Sequence, residues 1–87
     1  MAEPRMEEIG RVEGFFTHVS AAMVALTAPL RVGDRIYIKG HTTDFQQTVA
    51  SMQVDRQPVP EASAGQSVGL KVDQRCRQHD VVYKLAA

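Results

Sequence analysis

The sequence predicts an all-β fold, a small antiparallel β-barrel of six or seven strands, and three observations predict it. Apolar and polar residues alternate over short runs, Gly, Pro, Asp and Ser clusters interrupt those runs at intervals of about ten residues, and no stretch has the spacing of an amphipathic helix. The 87 residues make one domain, small enough to bury only about 60% of the surface its unfolded chain exposes. Closing the sheet on itself removes the strand edges that a small all-β protein otherwise has to protect.

Each element follows from its own residues. Residues 1–7 hold Pro4 and charges without periodicity and read as a flexible lead-in, leaving residues 8–85 as the single barrel domain. From Glu8 to Phe16, Gly10, Val12, Gly14 and Phe16 alternate with Arg11 and Glu13; glycines on that inner face call for a bend or a close crossing by a neighbouring strand. Thr17-His18 turns into Val19–Thr27, where Ala22, Val24 and Leu26 alternate with Ala21, Met23 and Ala25. Helix competes there, because Ala and Met favour it. Ala28-Pro29-Leu30 and Val32-Gly33-Asp34 end that element. The clearest strand is Asp34–Lys39, with Ile36 and Ile38 on one face and Arg35, Tyr37 and Lys39 on the other. The turn residues Gly40 to Asp44 lead into Phe45–Val54, where Ala50, Met52 and Val54 face inward, so the two strands read as a hairpin. Gln57–Ala64, with Pro58 and Pro60, is a loop; Ala64-Gly65-Gln66 then launches Ser67–Val72 with Val68, Leu70 and Val72 inward. In the last strand, Asp80–Leu85, Val81, Tyr83 and Leu85 share one face and Val82 and Lys84 the other.

Bulk properties narrow the function. Ten Lys and Arg balance ten Asp and Glu, which argues against a strongly basic nucleic-acid binder and against an acidic tail. The balance is uneven along the chain: residues 1–30 carry two Arg against four Glu, and the remainder eight cations against six carboxylates. Cys76 stands alone, so no intramolecular disulfide forms and a reducing, cytoplasmic setting is the expectation. Neither a signal-peptide pattern nor an apolar run of membrane-spanning length occurs, so no membrane partner is expected.

The order of motifs resembles a known family. Ile9-Gly10-Arg11-Val12-Glu13-Gly14-Phe15-Phe16, then Leu30-Arg31-Val32-Gly33-Asp34-Arg35-Ile36-Tyr37-Ile38, then Ala64-Gly65-Gln66-Ser67-Val68-Gly69-Leu70 resemble the second-domain β-barrel of translational GTPases such as elongation factor Tu. Ile38 to Gln47 and Ser51-Met52-Gln53 also resemble small stand-alone translation-elongation-factor-like proteins. The resemblance covers about Glu8 to Leu85 and implies a translation-related binding barrel, with tRNA or ribosomal RNA as partner. It carries over no contact residue, because the matched positions belong to turns and core. No G-x-x-x-x-G-K-[ST] loop is present, so nucleotide hydrolysis is not expected.

The chain offers little for catalysis. His18, His41 and His79 lie far apart without the spacing of a zinc motif, so neither a metal nor another cofactor is expected. Cys76 sits between Arg75 and Arg77, an electropositive setting that would lower a thiol pKa, but a nucleophile also needs a base and only His79 is near in sequence. The competing reading is a thiol with no role. Gly40-His41-Thr42-Thr43-Asp44 gathers hydroxyls, an imidazole and a carboxylate, yet such residues more simply satisfy the backbone of their own turn. The expectation is therefore not an enzyme.

Binding is better served. Arg35, Tyr37 and Lys39 project from one face at intervals of about 7 Å, a pattern that can meet a phosphate, a stacked base and a second phosphate. The same triplet also occurs on simply solvated strands. Lys71, Arg75 and Arg77, with Lys84, would add a patch near the end of the barrel. The expected function is RNA or ribonucleoprotein binding through Arg35, Tyr37, Lys39, Lys71, Arg75 and Arg77; the alternative is a protein-interaction module docking on a larger enzyme or complex.

Overall fold

The computed structural model describes residues 5–86. The strands are β1 (Arg5–Phe16), β2 (Ala21–Leu26), β3 (Leu30–Arg31), β4 (Arg35–Lys39), β5 (Asp44–Thr48), β6 (Met52–Val54), β7 (Gln57–Pro58), β8 (Glu61–Ala62), β9 (Ser67–Lys71) and β10 (Val81–Ala86). No helix occurs among the described residues, and every pairing is antiparallel. The helical alternative at Val19–Thr27 gives way to β2, where Ala22, Val24 and Leu26 are buried in strict alternation. The first strand starts at Arg5, inside the expected lead-in, because residues from Arg5 to Glu8 pair with those from Ala86 to Tyr83. The rest of that lead-in, residues 1–4, lies outside the described residues.

The all-β, antiparallel class holds, but the sheet does not close. Eight strands run in the order β5-β4-β10-β1-β2-β9-β6-β7 and stop at both ends, while β3 and β8 form a separate two-stranded ribbon. The barrel expectation is corrected at the chain after β5. Ala50 faces solvent rather than the interior, and the three-residue β6 pairs with β9 instead of continuing the β4–β5 hairpin. A side chain spans the gap left by the missing ladder. Buried Gln47 donates from Nε2 to the Lys71 carbonyl at 2.8 Å and accepts at Oε1 from the Asp73 N–H at 2.8 Å.

One face of this curled sheet makes the core: Ile9, Val12, Val24, Leu30, Ile36, Ile38, Met52, Val68, Leu70 and Val82 are all buried. Each such aliphatic side chain contributes about 1.5–3 kcal/mol on leaving water. Two bulges in β1 decide what enters that core. The register with β10 slips between Glu8 and Gly10, and the register with β2 slips between Val12 and Gly14. Past the second slip the alternation reverses, so Phe15 packs on the core and Phe16, expected inward, is 48% exposed. Gly10 meets the close crossing its type suggested: a Cβ there would lie 2.6 Å from the Ala25 carbonyl oxygen.

Two turns of the same construction launch the neighbouring strands β4 and β10. At Arg31–Asp34 the aspartate accepts the Arg31 N–H at Oδ2 (2.9 Å) and donates its own N–H to the Arg31 carbonyl (3.1 Å). Arg77–Asp80 repeats this with 2.8 Å and 3.1 Å. Gly33 (φ 99°) occupies the left-handed region in the first turn, as its place before Asp34 suggested.

Candidate functional site

The outer face of β4 and its neighbours holds the most developed group of side chains. Register places Glu8, Tyr83, Tyr37 and Gln46 in one row across β1, β10, β4 and β5, and Arg11, Val81, Lys39 and Asp44 in the next. Tyr37 and Tyr83 pack with ring centroids 6.3 Å apart and planes tilted by 33°, an aromatic pair of the kind that exceeds its buried area in value. The Tyr37 hydroxyl donates to Asp44 Oδ1 at 2.6 Å. That bond to a carboxylate, then desolvation, raises the phenol above its usual pKa of 10.0. Arg35 reaches Thr48 Oγ1 at 3.4 Å, and Lys39 is exposed. Arg11 and Glu8 lie 3.8 Å apart at the rim.

The six residues expected to bind fall into three places. Arg35, Tyr37 and Lys39 share the β4 face as their alternation requires. Lys71 lies on β9, four strands away in the sheet order, where it lines a shallow groove with Val19, Ala21, Ser51, Gln53 and Gly69. Arg75 and Arg77 are exposed in the connection from β9 to β10. Lys84 does not join them. It is half-buried, donating to the Pro29 carbonyl at 3.3 Å and lying 3.8 Å from Asp34. Sequence reasoning missed Tyr83 and Asp44 as partners of Tyr37; only the β4–β10 and β4–β5 registers bring them together.

The structure places the reactive candidates apart from one another. Cys76 is 1% exposed, while Arg75 and Arg77 on either side point to solvent. Burial first, and the Asp80 carboxylate second, push its thiol up to about 12, the reverse of the lowering that the flanking arginines suggested. In the Gly40–Asp44 turn, the Gly40 N–H donates to the Thr43 carbonyl at 2.7 Å, Thr43 is buried and Asp44 is engaged by Tyr37. His18, His41 and His79 are exposed, and among the described residues no three His, Cys, Asp or Glu side chains group as a metal site would require. Nor is any helix among those residues long and apolar enough to cross a membrane.

No protein-family model matches the chain. It is similar to an uncharacterized protease of Methanocaldococcus jannaschii, 42% identical over 82 residues that cover 93% of this chain and 20% of that protein. The chain thus spans about a fifth of the curated relative it matches. The likeness is to a protease, not to a translation factor. Among solved structures, the C-terminal domain of "Geobacillus thermoleovorans putative U32 peptidase" superposes with a TM-score of 0.84 at 22% identity, covering 90% of this chain and 91% of that one. Its selenomethionine variant gives 0.83 at 22%, covering 87% and 96%. At that identity the structures show a shared fold.

These findings correct the reading of the chain as a stand-alone translation-elongation-factor-like protein, and with it RNA binding as the expected function. The motifs behind that reading have a structural explanation. Gly10 is required by a close crossing, Gly33 and Gly65 (φ 99° and 91°) by turns, Asp34 by its own N–H and carboxylate bonds, and Ile36, Ile38, Val68 and Leu70 by the core. Such positions report strand order and turn chemistry, and a fold hosts many functions.

Proposed function

We propose that this chain is a β-domain of a U32-type peptidase system and contributes binding to it rather than bond cleavage. The observation that carries the reading is the 42% identity across 82 residues with part of a much longer protein named a protease. The buried, protonated Cys76 and the separate, exposed histidines support a non-catalytic role. Its partner is the catalytic portion of such a peptidase, in the same polypeptide or another. The contact surface is the outer face of β4 and β10, where the Tyr37–Tyr83 pair is an aromatic anchor and Lys39 a charged rim. The lone free thiol, buried at Cys76, suits a cytoplasmic setting for this work.

The test immobilises the chain and measures retention of the catalytic portion of a U32 peptidase from the same organism. Retention by the chain, and its loss with Tyr37→Ala and Tyr83→Ala while the groove variant Lys71→Ala keeps it, is the expected result. Retention that ignores both tyrosine variants removes this face. Hydrolysis of peptides by the chain alone overturns the non-catalytic role.

A further inference from the structure

The two ends of the eight-stranded sheet are protected unequally. At one end β7 is two residues long, and Pro58 lacks the N–H that would otherwise face outward, a usual way to blunt an edge. At the other end β5 is five residues long and carries no Pro, no Lys and no register slip against β4. The hydrogen-bonding phase of that pair is set at both ends. The Gly40 N–H donates to Thr43 at 2.7 Å and the Val49 N–H to Asp34 at 2.8 Å, so Phe45 and Gln47 bond to β4. The N–H and C=O groups of Asp44, Gln46 and Thr48 therefore point away from the sheet. Among the described residues β4 is the only strand paired with β5, and no turn or loop backbone bond reaches those three residues.

The geometry points to a second copy of this chain as the occupant of that edge, with β5 paired antiparallel to the partner's β5 about Gln46. This arrangement is independent of the peptidase reading. A two-fold axis at Gln46 sets Gln46 opposite the partner's Gln46 and Thr48 opposite the partner's Asp44, joining two sheets into one through the outward-facing groups of three residues on each side. Charge complementarity favours self-pairing over an arbitrary strand. Arg35 already leans over β5 to Thr48 Oγ1, so it stands one strand from the partner's Asp44. Symmetry makes this pair of opposite charges twice. The net charge of zero adds no general repulsion between copies. Contact limited to one edge and its flanking row buries less than about 1,200 Å², the size of a weak, transient interface.

Sedimentation of the full chain between about 10 and 500 µM, the range suited to so small an interface, tests this. The mean mass is expected to rise from 9.6 kDa towards twice that value. Gln46→Pro removes an N–H that β4 does not use, and is expected to keep the amide spectrum while remaining monomeric throughout. Arg35→Asp and Asp44→Arg each set like charges one strand apart across the dimer and weaken it about tenfold; the double exchange restores opposite charges at that pair and the affinity. A wild-type chain that stays monomeric, including one that accepts only foreign peptides at this edge, overturns the inference. So does a dimer unaffected by Gln46→Pro, or a double exchange no tighter than the single variants. Should Gln46→Pro fail to fold, the charge exchange decides alone.

Discussion

Gly40 lies directly against the carboxylate of Asp80: a Cβ on Gly40 would overlap Asp80 Oδ1 and Cγ. Asp80 cannot easily yield. It is 4% exposed, its Oδ2 holds the Arg77 N–H, and its carbonyl accepts the Val12 N–H at 2.8 Å. The contact seats the β4–β5 turn on the β9–β10 connection. Gly40→Ala is expected to cost about 1–3 kcal/mol, the usual penalty for overfilling a packed site. The urea midpoint reads it, and an unchanged midpoint would show that the carboxylate moves aside.

Gln47 ties the β5 end of the sheet to the chain leaving β9, through both ends of its side-chain amide. Gln47→Leu keeps the bulk and strands a carbonyl at Lys71 and an N–H at Asp73, which costs about 2–4 kcal/mol if both stay dry. Urea unfolding measures the loss, and amide exchange at Asp73 is expected to accelerate ahead of exchange in β2.

The β6–β7 hairpin turns through two residues, Asp55 and Arg56, both with positive φ (51° and 65°). Glycine is the favoured second residue of such a turn, and arginine tolerates it poorly. Arg56→Gly is therefore expected to raise stability by about 0.5–1 kcal/mol, net of the greater freedom that glycine gives the unfolded chain. A lower urea midpoint would contradict this.

The Cys76 thiol is held protonated in the folded protein, its pKa raised from 9.0 to about 12. Below pH 9 both folded and unfolded chains keep that proton and the thiol adds no pH dependence. Between pH 9 and about 12 only the unfolded chain releases it, so stability falls as pH rises across that window. Tyr37, also raised, acts in the same direction at high pH. Comparing urea midpoints at pH 7 and pH 10 is expected to show a smaller decline for Cys76→Ala than for wild type. At pH 8 the native thiol is expected to react with a disulfide reagent far more slowly than the unfolded one.

Strand legibility followed burial. In β4 and β9, fully buried isoleucines, valine and leucine alternate with exposed or half-buried residues, and the sequence pattern and the structure coincide. The β1 bulges left no mark except glycines, since a slipped register is a property of two strands rather than one, and so Phe16 was placed on the wrong face. Closure was illegible for a related reason: whether β5 meets another strand depends on where the chain goes after Val49, which local alternation does not encode. For the candidate site, the alternation of Arg35, Tyr37 and Lys39 was readable, but the aromatic partner is 46 positions away, at Tyr83, and is reached only through the β4–β10 pairing. Cys76 was misleading because neighbours in sequence, Arg75 and Arg77, point away from the core that sets its chemistry.

As a β-domain proposed to serve a U32-type peptidase, the chain is expected to bind that enzyme's catalytic portion. Calorimetric titration of the chain into that portion, prepared from the same organism, tests it most directly. Saturable binding at one chain per catalytic portion, weakened at least about tenfold when the anchor is truncated by Tyr83→Ala, is the predicted result. Absence of saturable binding, with both proteins folded and at concentrations up to about 100 µM, would contradict it.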